Sequence, residues 1–270
     1  MTRFSPSPIT SRQPRVGVFI VLIALVMVFS LSREVHAGPT RLPFAPGEKL
    51  IFQVRWAFII AGEAVLEVVP IKPGHNKDSR HFAMTAKTSS FVDIFYKVRE
   101  RIDAYTDGEM THSILYKEEK SGRKSKKVVI RFDWDKMEAQ YSRSGETRKP
   151  VALQPGSFDP LSVFYAFRFF DLETGKILRA WVTDGKKCVQ GEAIVRKREK
   201  IKIPAGTFDT YLVEPDLDVF GGVFDKSKGA KLKIWVTADT RRLPVKIASK
   251  VVIGSFVAEL VSGSKIGKIE

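Results

Sequence analysis

Apolar and polar positions alternate from Val98 to Tyr105. Val98, Ile102 and Ala104 fall on one side, and Arg99, Arg101, Asp103 and Tyr105 on the other. A period of two gives a strand with one face on a core. Glu100 breaks the rule by standing among the apolar positions. Similar β-rich stretches recur at 50–56, 61–69, 81–88, 113–119, 126–134, 137–141, 177–182, 187–192, 193–203, 208–213, 231–237, 244–253 and 255–261. Turn formers separate them: Pro73-Gly74, Ser121-Gly122, Asp133 to Lys136, Ser144-Gly145, Asp184-Gly185, a weaker break at Gly191, Pro204 to Thr207, and Asp239 to Pro244. Short strands at such intervals predict a mainly β chain, with antiparallel sheets forming a barrel or a sandwich.

Two segments depart from this period. Residues 90–95 (Ser-Phe-Val-Asp-Ile-Phe) can begin a short helix. The stronger signal follows Pro155-Gly156, where Asp159 suits an N-cap and Pro160 the first helical position. Leu161, Phe164, Tyr165 and Arg168 then recur at helical spacing. Val163, Phe167 and Phe170 carry the apolar surface almost all round. Such a helix is expected to be central and buried, as a plug in a barrel, and to end near Thr174-Gly175. It divides one β-rich domain, 38–270, into two halves. Ala61-Gly62 and Ala205-Gly206 both lead into strands, a faint sign of duplication. Residues 215–228, with Gly221-Gly222 and the aromatic tips Phe220 and Phe224, read as a flap-like loop.

The N-terminus follows another pattern. Arg12 and Arg15 precede an apolar run from Val16 to Leu31, and Val35-His36-Ala37 places small residues at the minus-three and minus-one positions. This order reads as a secretory signal peptide cut after Ala37. Left uncut, the run is about the shortest that spans a bilayer, and would make an inner-membrane anchor. No Cys follows it for lipid attachment. The expected location is the periplasm or cell envelope.

The leader carries four of the 45 Lys and Arg and one of the 30 acids, so the remaining 233 residues hold 41 bases against 29 acids, or +12. That charge favours anionic lipid or glycan; export disfavours nucleic acid. The alternative is a solvated basic surface, in which the runs 117–127 and 196–202 protect strand edges from aggregation.

Candidate chemistry is sparse. Cys188 is the one cysteine and sits in an alternating stretch, as an ordinary strand residue would. His75, His81 and His112 lack metal-ligand spacing. No nucleotide cradle, nucleophile elbow or cofactor motif occurs. The pairs Asp133/Asp135 and Asp216/Asp218 fit turns better than a glycosidase dyad. A hydrolase would have to draw on scattered Asp159, Asp239 and Glu100, supported by Arg99 and Arg242. For ligand binding the candidates are polar groups expected where the buried helix meets the sheet: Arg99, Arg101, Tyr165, Arg168, Arg241 and Arg242. Their structural alternative is Arg paired with Asp159 or Asp239 to fix the helix.

Several stretches taken in order resemble the exported bacterial domain-of-unknown-function family 3108. They are Leu42-Pro43-Phe44 with Pro46 to Leu50, Val54-Arg55-Trp56, Ala61 to Ala64, Phe95 to Ile102, Asp159 to Tyr165 with Arg168, Ile203 to Phe208, Ile234 to Val245 and Ile253 to Leu260. The resemblance implies an exported, β-rich fold and carries no catalytic residues. The function expected is binding of an envelope lipid or polysaccharide. Alternatives are an assembly partner of an outer-membrane or periplasmic machine, and a glycan- or lipid-acting hydrolase.

Overall fold

The computed structural model describes residues 42–70, 78–122, 125–216, 231–250 and 255–264. The expected leader and the loop tips Phe220 and Phe224 lie outside them. The chain forms β1 (Lys49–Trp56), β2 (Ile59–Val69), β3 (Ser79–Thr88), α1 (Ser90–Tyr96), β4 (Val98–Asp107), β5 (Ser113–Gly122), β6 (Lys126–Asp133), β7 (Glu138–Arg143), β8 (Glu146–Thr147) and β9 (Val151–Ala152). There follow α2 (Pro160–Ala166), a 3-10 turn (Phe167–Phe169), β10 (Ile177–Thr183), β11 (Cys188–Ile203), β12 (Gly206–Pro215), β13 (Lys231–Thr237), β14 (Pro244–Lys250) and β15 (Ser255–Ser264).

All 15 strands belong to one antiparallel sheet, ordered β10-β11-β12-β13-β14-β15-β1-β2-β3-β4-β5-β6-β7-β8, with β9 on β7. Neighbours in the sheet are neighbours in sequence, except that β15 pairs with β1 and β9 with β7. The ladder does not close. Its two edges are linked by the segment from β9 to Phe158, which forms one parallel bridge to Val182 of β10. There the Phe158 amide donates to the Trp181 carbonyl and the Thr183 amide to the Phe158 carbonyl, both at 2.9 Å. The barrel-like expectation therefore holds, with an open seam.

Inward positions follow the alternation. Leu50 and Phe52, Leu66 and Val68, Phe82, Ala104, Val128 and Ile130, Ala139 and Tyr141, and Val245 and Leu260 are all buried in one core. β11 runs unbroken through Gly191, which pairs with Ala180, so no break occurs there. Pairing with β10 overrides a single glycine's weak preference. The two Ala-Gly entries also differ. Gly206 has φ +133°, whereas Gly62 lies within β2, where a Cβ would stand 2.2 Å from the Lys87 carbonyl oxygen.

α2 starts where the sequence places it, where the two sheet edges approach. Asp159 accepts from the Leu161 and Ser162 amides (both 2.9 Å) and from the Ser113 and Ser162 hydroxyls (both 2.6 Å). Burial raises its carboxyl pKa, and these four hydrogen bonds oppose the rise. Leu161, Ser162, Val163, Tyr165 and Ala166 are buried, and the helix packs on β3, β4 and β10. It ends sooner than Thr174-Gly175. Phe170 is already extended, because Phe167 and Phe170 leave the helix to pack over Leu178, Ala193, Val195 and Val213.

Arg168 fixes the far end of this plug, at 3% exposure. Its guanidinium grips both carboxylate oxygens of the equally buried Glu48, with Nη2 3.1 Å from Oε2. Nη2 also donates to the Pro43 carbonyl (2.6 Å) and Nε to the Arg241 carbonyl (2.9 Å). The Phe44 and Tyr165 rings flank the cation. The partner is thus neither Asp159 nor Asp239. The first is spent on the helix cap, and the second accepts from Thr237 and Arg241.

Breaking a buried pair strands the remaining charge, so Arg168→Met should cost about 3–5 kcal/mol of unfolding free energy in urea. Adding Glu48→Gln should recover part of that loss. Two independent, additive losses would contradict the pairing.

Candidate functional site

The barrel interior is not filled. A cavity of about 430 Å³ is walled by Phe52, Leu66, Met84, Ile102, Val128, Ile130, Ile234 and Ile247, with Leu161 and Phe164 of α2 among its lining. Its charged lining comprises Glu100, Glu118, Lys126, Asp184 and Lys186. The cause lies in strand parity. Inward positions of β6 read Lys126, Val128, Ile130 and Phe132, and those of β5 read Tyr116, Glu118 and Lys120. Each strand thus changes from apolar to charged toward one end. Lys126 bonds both Glu118 oxygens at 2.8 and 2.9 Å, and Lys120 stands 3.4 Å from Glu100. Burial, with carboxylates nearby, raises the pKa of the Tyr116 hydroxyl below them, so it stays neutral.

An open groove of about 600 Å³ adjoins this end and shares Glu100 and Lys126 with the cavity. Lys87, Arg99, Arg101, Lys120, Lys126 and Lys127 line it against Glu63, Glu100 and Glu119, six bases to three acids. Each of these bases is paired with an acid, Lys87 with Glu63, Arg99 with Asp93, Arg101 with Asp103, Lys120 with Glu100, Lys126 with Glu118 and Lys127 with Glu119, so the mouth of the cavity is ringed by ion pairs.

The six candidate residues divide between two places rather than meeting at the helix–sheet junction. Arg99 and Arg101 line the groove. Arg99 clamps Asp93 of α1 through Nη1 (3.0 Å) and Nη2 (2.5 Å), while Arg101 chelates Asp103, which also binds His81 at 2.8 Å. Tyr165, Arg168, Arg241 and Arg242 gather at α2 and the 3-10 turn. Tyr165 stacks on Phe82, and burial raises its hydroxyl pKa. Arg241 pairs with Asp239. Arg242 donates to the Phe170 carbonyl and to Asp171. Strand parity explains the split: odd residues of β4 face outward, and Glu100 faces in.

The acids considered for hydrolysis hold separate roles. Asp159 caps α2, Asp239 organises the β13–β14 turn, and Glu100 lines the cavity. Asp133 accepts from the Lys136 amide in the β6–β7 turn, as a turn residue does. Cys188 opens β11 with its Sγ 3.3 Å from Ser157 Oγ. Among the described residues no group of three or more His, Cys, Asp or Glu could hold a metal ion, and no helix is long and apolar enough to cross a membrane.

Residues 51–261 match the profile of the family described as protein of unknown function DUF3108, and the chain belongs to that family. The sequence resemblance is thereby established over nearly the whole described region. No curated protein matches the chain. Among solved structures, a β-barrel-like protein of domain DUF1849 from Brucella abortus aligns with a TM-score of 0.51 at 9% identity, over 82% of this chain and 98% of that one. That likeness supports the fold alone. A hypothetical protein from Chlamydia trachomatis aligns at TM-score 0.38 and 8% identity, over 86% and 93% of the two chains. A Bacteroides fragilis protein described as an exported-protein candidate with a YmcC-like fold aligns at 0.37 and 9%, over 83% and 98%.

The Asp93 contacts make a pH test possible. Hydrogen bonds from Arg99 and then Thr88 pull its carboxyl down from 3.8 to about 2. A depressed folded-state pKa gives stabilisation that is present above the unfolded value and lost as pH falls through the folded one. Tethering of α1 should therefore weaken between about pH 4 and 2, read from the Asp93 carboxyl and α1 amide resonances. An ordinary Asp93 titration near 4 would contradict the clamp.

Proposed function

We propose that this protein binds an anionic amphiphile of the cell envelope, with the apolar chain in the barrel cavity and the charged head at the basic groove. The observation that carries this reading is the unfilled apolar interior with Lys126 and Lys120 among the ion pairs at its mouth. Its volume falls within the ordinary range of small-molecule sites, about 300–1,000 Å³. Apolar walls give non-directional attraction for an alkyl chain, while a phosphate or carboxylate head would take Lys126 and Lys120 in exchange for their Glu118 and Glu100 partners. Arg99 and Arg101, held by Asp93 and Asp103, lie further along the groove. The signal-type leader supports export to the compartment where such lipids and lipid-linked glycans are found.

Occupying the cavity with a side chain tests this. Ala64 lines it, so Ala64→Phe should fill space without crowding a packed core. The native protein, purified without detergent, should release lipid in native mass spectrometry and bind an added fluorescent fatty acid. Ala64→Phe should lose at least about tenfold in that affinity, the equivalent of 1.4 kcal/mol, while unfolding at a similar temperature. A native protein that carries no lipid and binds none would overturn the reading.

A further inference from the structure

The same end of the barrel carries an apolar surface that the cavity does not explain. The β1–β2 turn projects Phe58 at 93% exposure, with Ile60 behind it at 53%. Beside it, α1 presents Phe91 (59%), Ile94 (74%) and Phe95 (71%) and buries none of its residues. The two elements are joined. The Ser89 amide donates to the Ala61 carbonyl at 2.8 Å, and its hydroxyl donates to the Ile60 carbonyl at 2.9 Å. The Thr88–Asp93–Arg99 clamp then fixes α1 against the strands. The β1 register shifts between Val54 and Arg55, leaving Ala61 as an extra residue in β2. Such bulges re-aim the strand end on which they sit.

From these features we infer that this rim is a docking surface for the face of an anionic lipid bilayer. Large exposed apolar residues held on a rigid base mark an interaction site. Their form selects the occupant. They form separate protrusions, Phe58 at a turn tip and the Phe91–Phe95 ring pair with Ile94 on a short helix, so a protein partner would need a matching hollow for each. Fluid acyl chains close around such protrusions without preformed shape. The charge is also suited: Lys97 directly follows α1 and is exposed, and the neighbouring groove brings six ion-paired Lys and Arg side chains to the same end. Aromatic and aliphatic side chains beneath a collar of Lys and Arg are the combination that binds interfacially to anionic membranes. The rim has Glu63 and Lys87 within reach of both groove and turn, so docking would face the cavity mouth toward the lipid. The inference stands on the rim alone and does not require an occupied cavity.

A local fluorescence measurement tests it in the full chain, whatever the leader contributes. With Cys188→Ser as background, an environment-sensitive dye is placed at Phe58→Cys or, at the opposite end of the barrel, at Asp135→Cys. On adding vesicles containing phosphatidylglycerol, the dye at 58 should shift to the blue and be quenched by spin-labelled lipid, and the dye at 135 should not. The shift should weaken with salt and with phosphatidylcholine vesicles. In unlabelled chain, Phe95→Ser should lower vesicle affinity by about tenfold or more. The inference fails if position 58 does not respond, if both positions respond alike, if phosphatidylcholine alone serves equally well, or if position 58 shifts on concentrating the protein without vesicles. The last result would assign the rim to a second copy of the chain. Loss of fatty-acid uptake with retained docking would count against the cavity reading only.

Discussion

A curved sheet that does not close must be stoppered, and the buried pair of Arg168 and Glu48 holds the stopper in place. Glu48 precedes β1, Arg168 follows α2, and the carbonyls they recruit come from Pro43 and from Arg241 between β13 and β14. Three distant parts of the chain thus meet at one desolvated cation. Two charges out of water are tolerable only when their hydrogen-bonding capacity is met, and here the guanidinium donates to four oxygens of three residues. Every buried side-chain nitrogen or oxygen among the described residues likewise has a partner. The helix is consequently positioned by polar contacts at both its ends: the Asp159 cap at the seam and Arg168 at the opposite end.

That arrangement leaves the interior asymmetric. Toward α2 the space is filled by Phe44, Phe82 and Tyr165, packed ring against ring. Away from it the inward positions of β4, β5 and β6 turn from apolar to charged. A cavity lined by hydrocarbon and opening among lysines follows from where the strands change composition. The exposed rim of α1 and the β1–β2 turn stands at that same end, so a bilayer contact and an amphiphile site would face one another.

Much of this was legible in the sequence. Alternation located nearly all of the strands, and Asp159-Pro160 marked the first turn of α2. Glu100, conspicuous on an apolar face, does point inward and lines the cavity. The arginine sites were harder to read. Arg99 and Arg101 share the parity opposite to Glu100, which puts them outside, on the groove. The partner of Arg168 lies 120 residues away, and no local pattern encodes such a contact. The charged inward ends of β5 and β6 were also passed over, because Lys-rich runs read as solvated faces until the register shows which residues point in. In α1 five of the seven residues are apolar or aromatic, and Asp93 is taken up by Thr88 and Arg99. That apolar excess is the sequence trace of its exposed surface.

The most direct test of the central claim is methyl NMR of the protein with a short-chain anionic amphiphile. The isoleucine methyls of residues 102, 130, 234 and 247 wall the cavity. The account predicts nuclear Overhauser contacts between these methyls and the alkyl chain, with the head group perturbing Lys126. Contacts confined to the outer face of the sheet, with the four methyls unmoved at saturation, would contradict it.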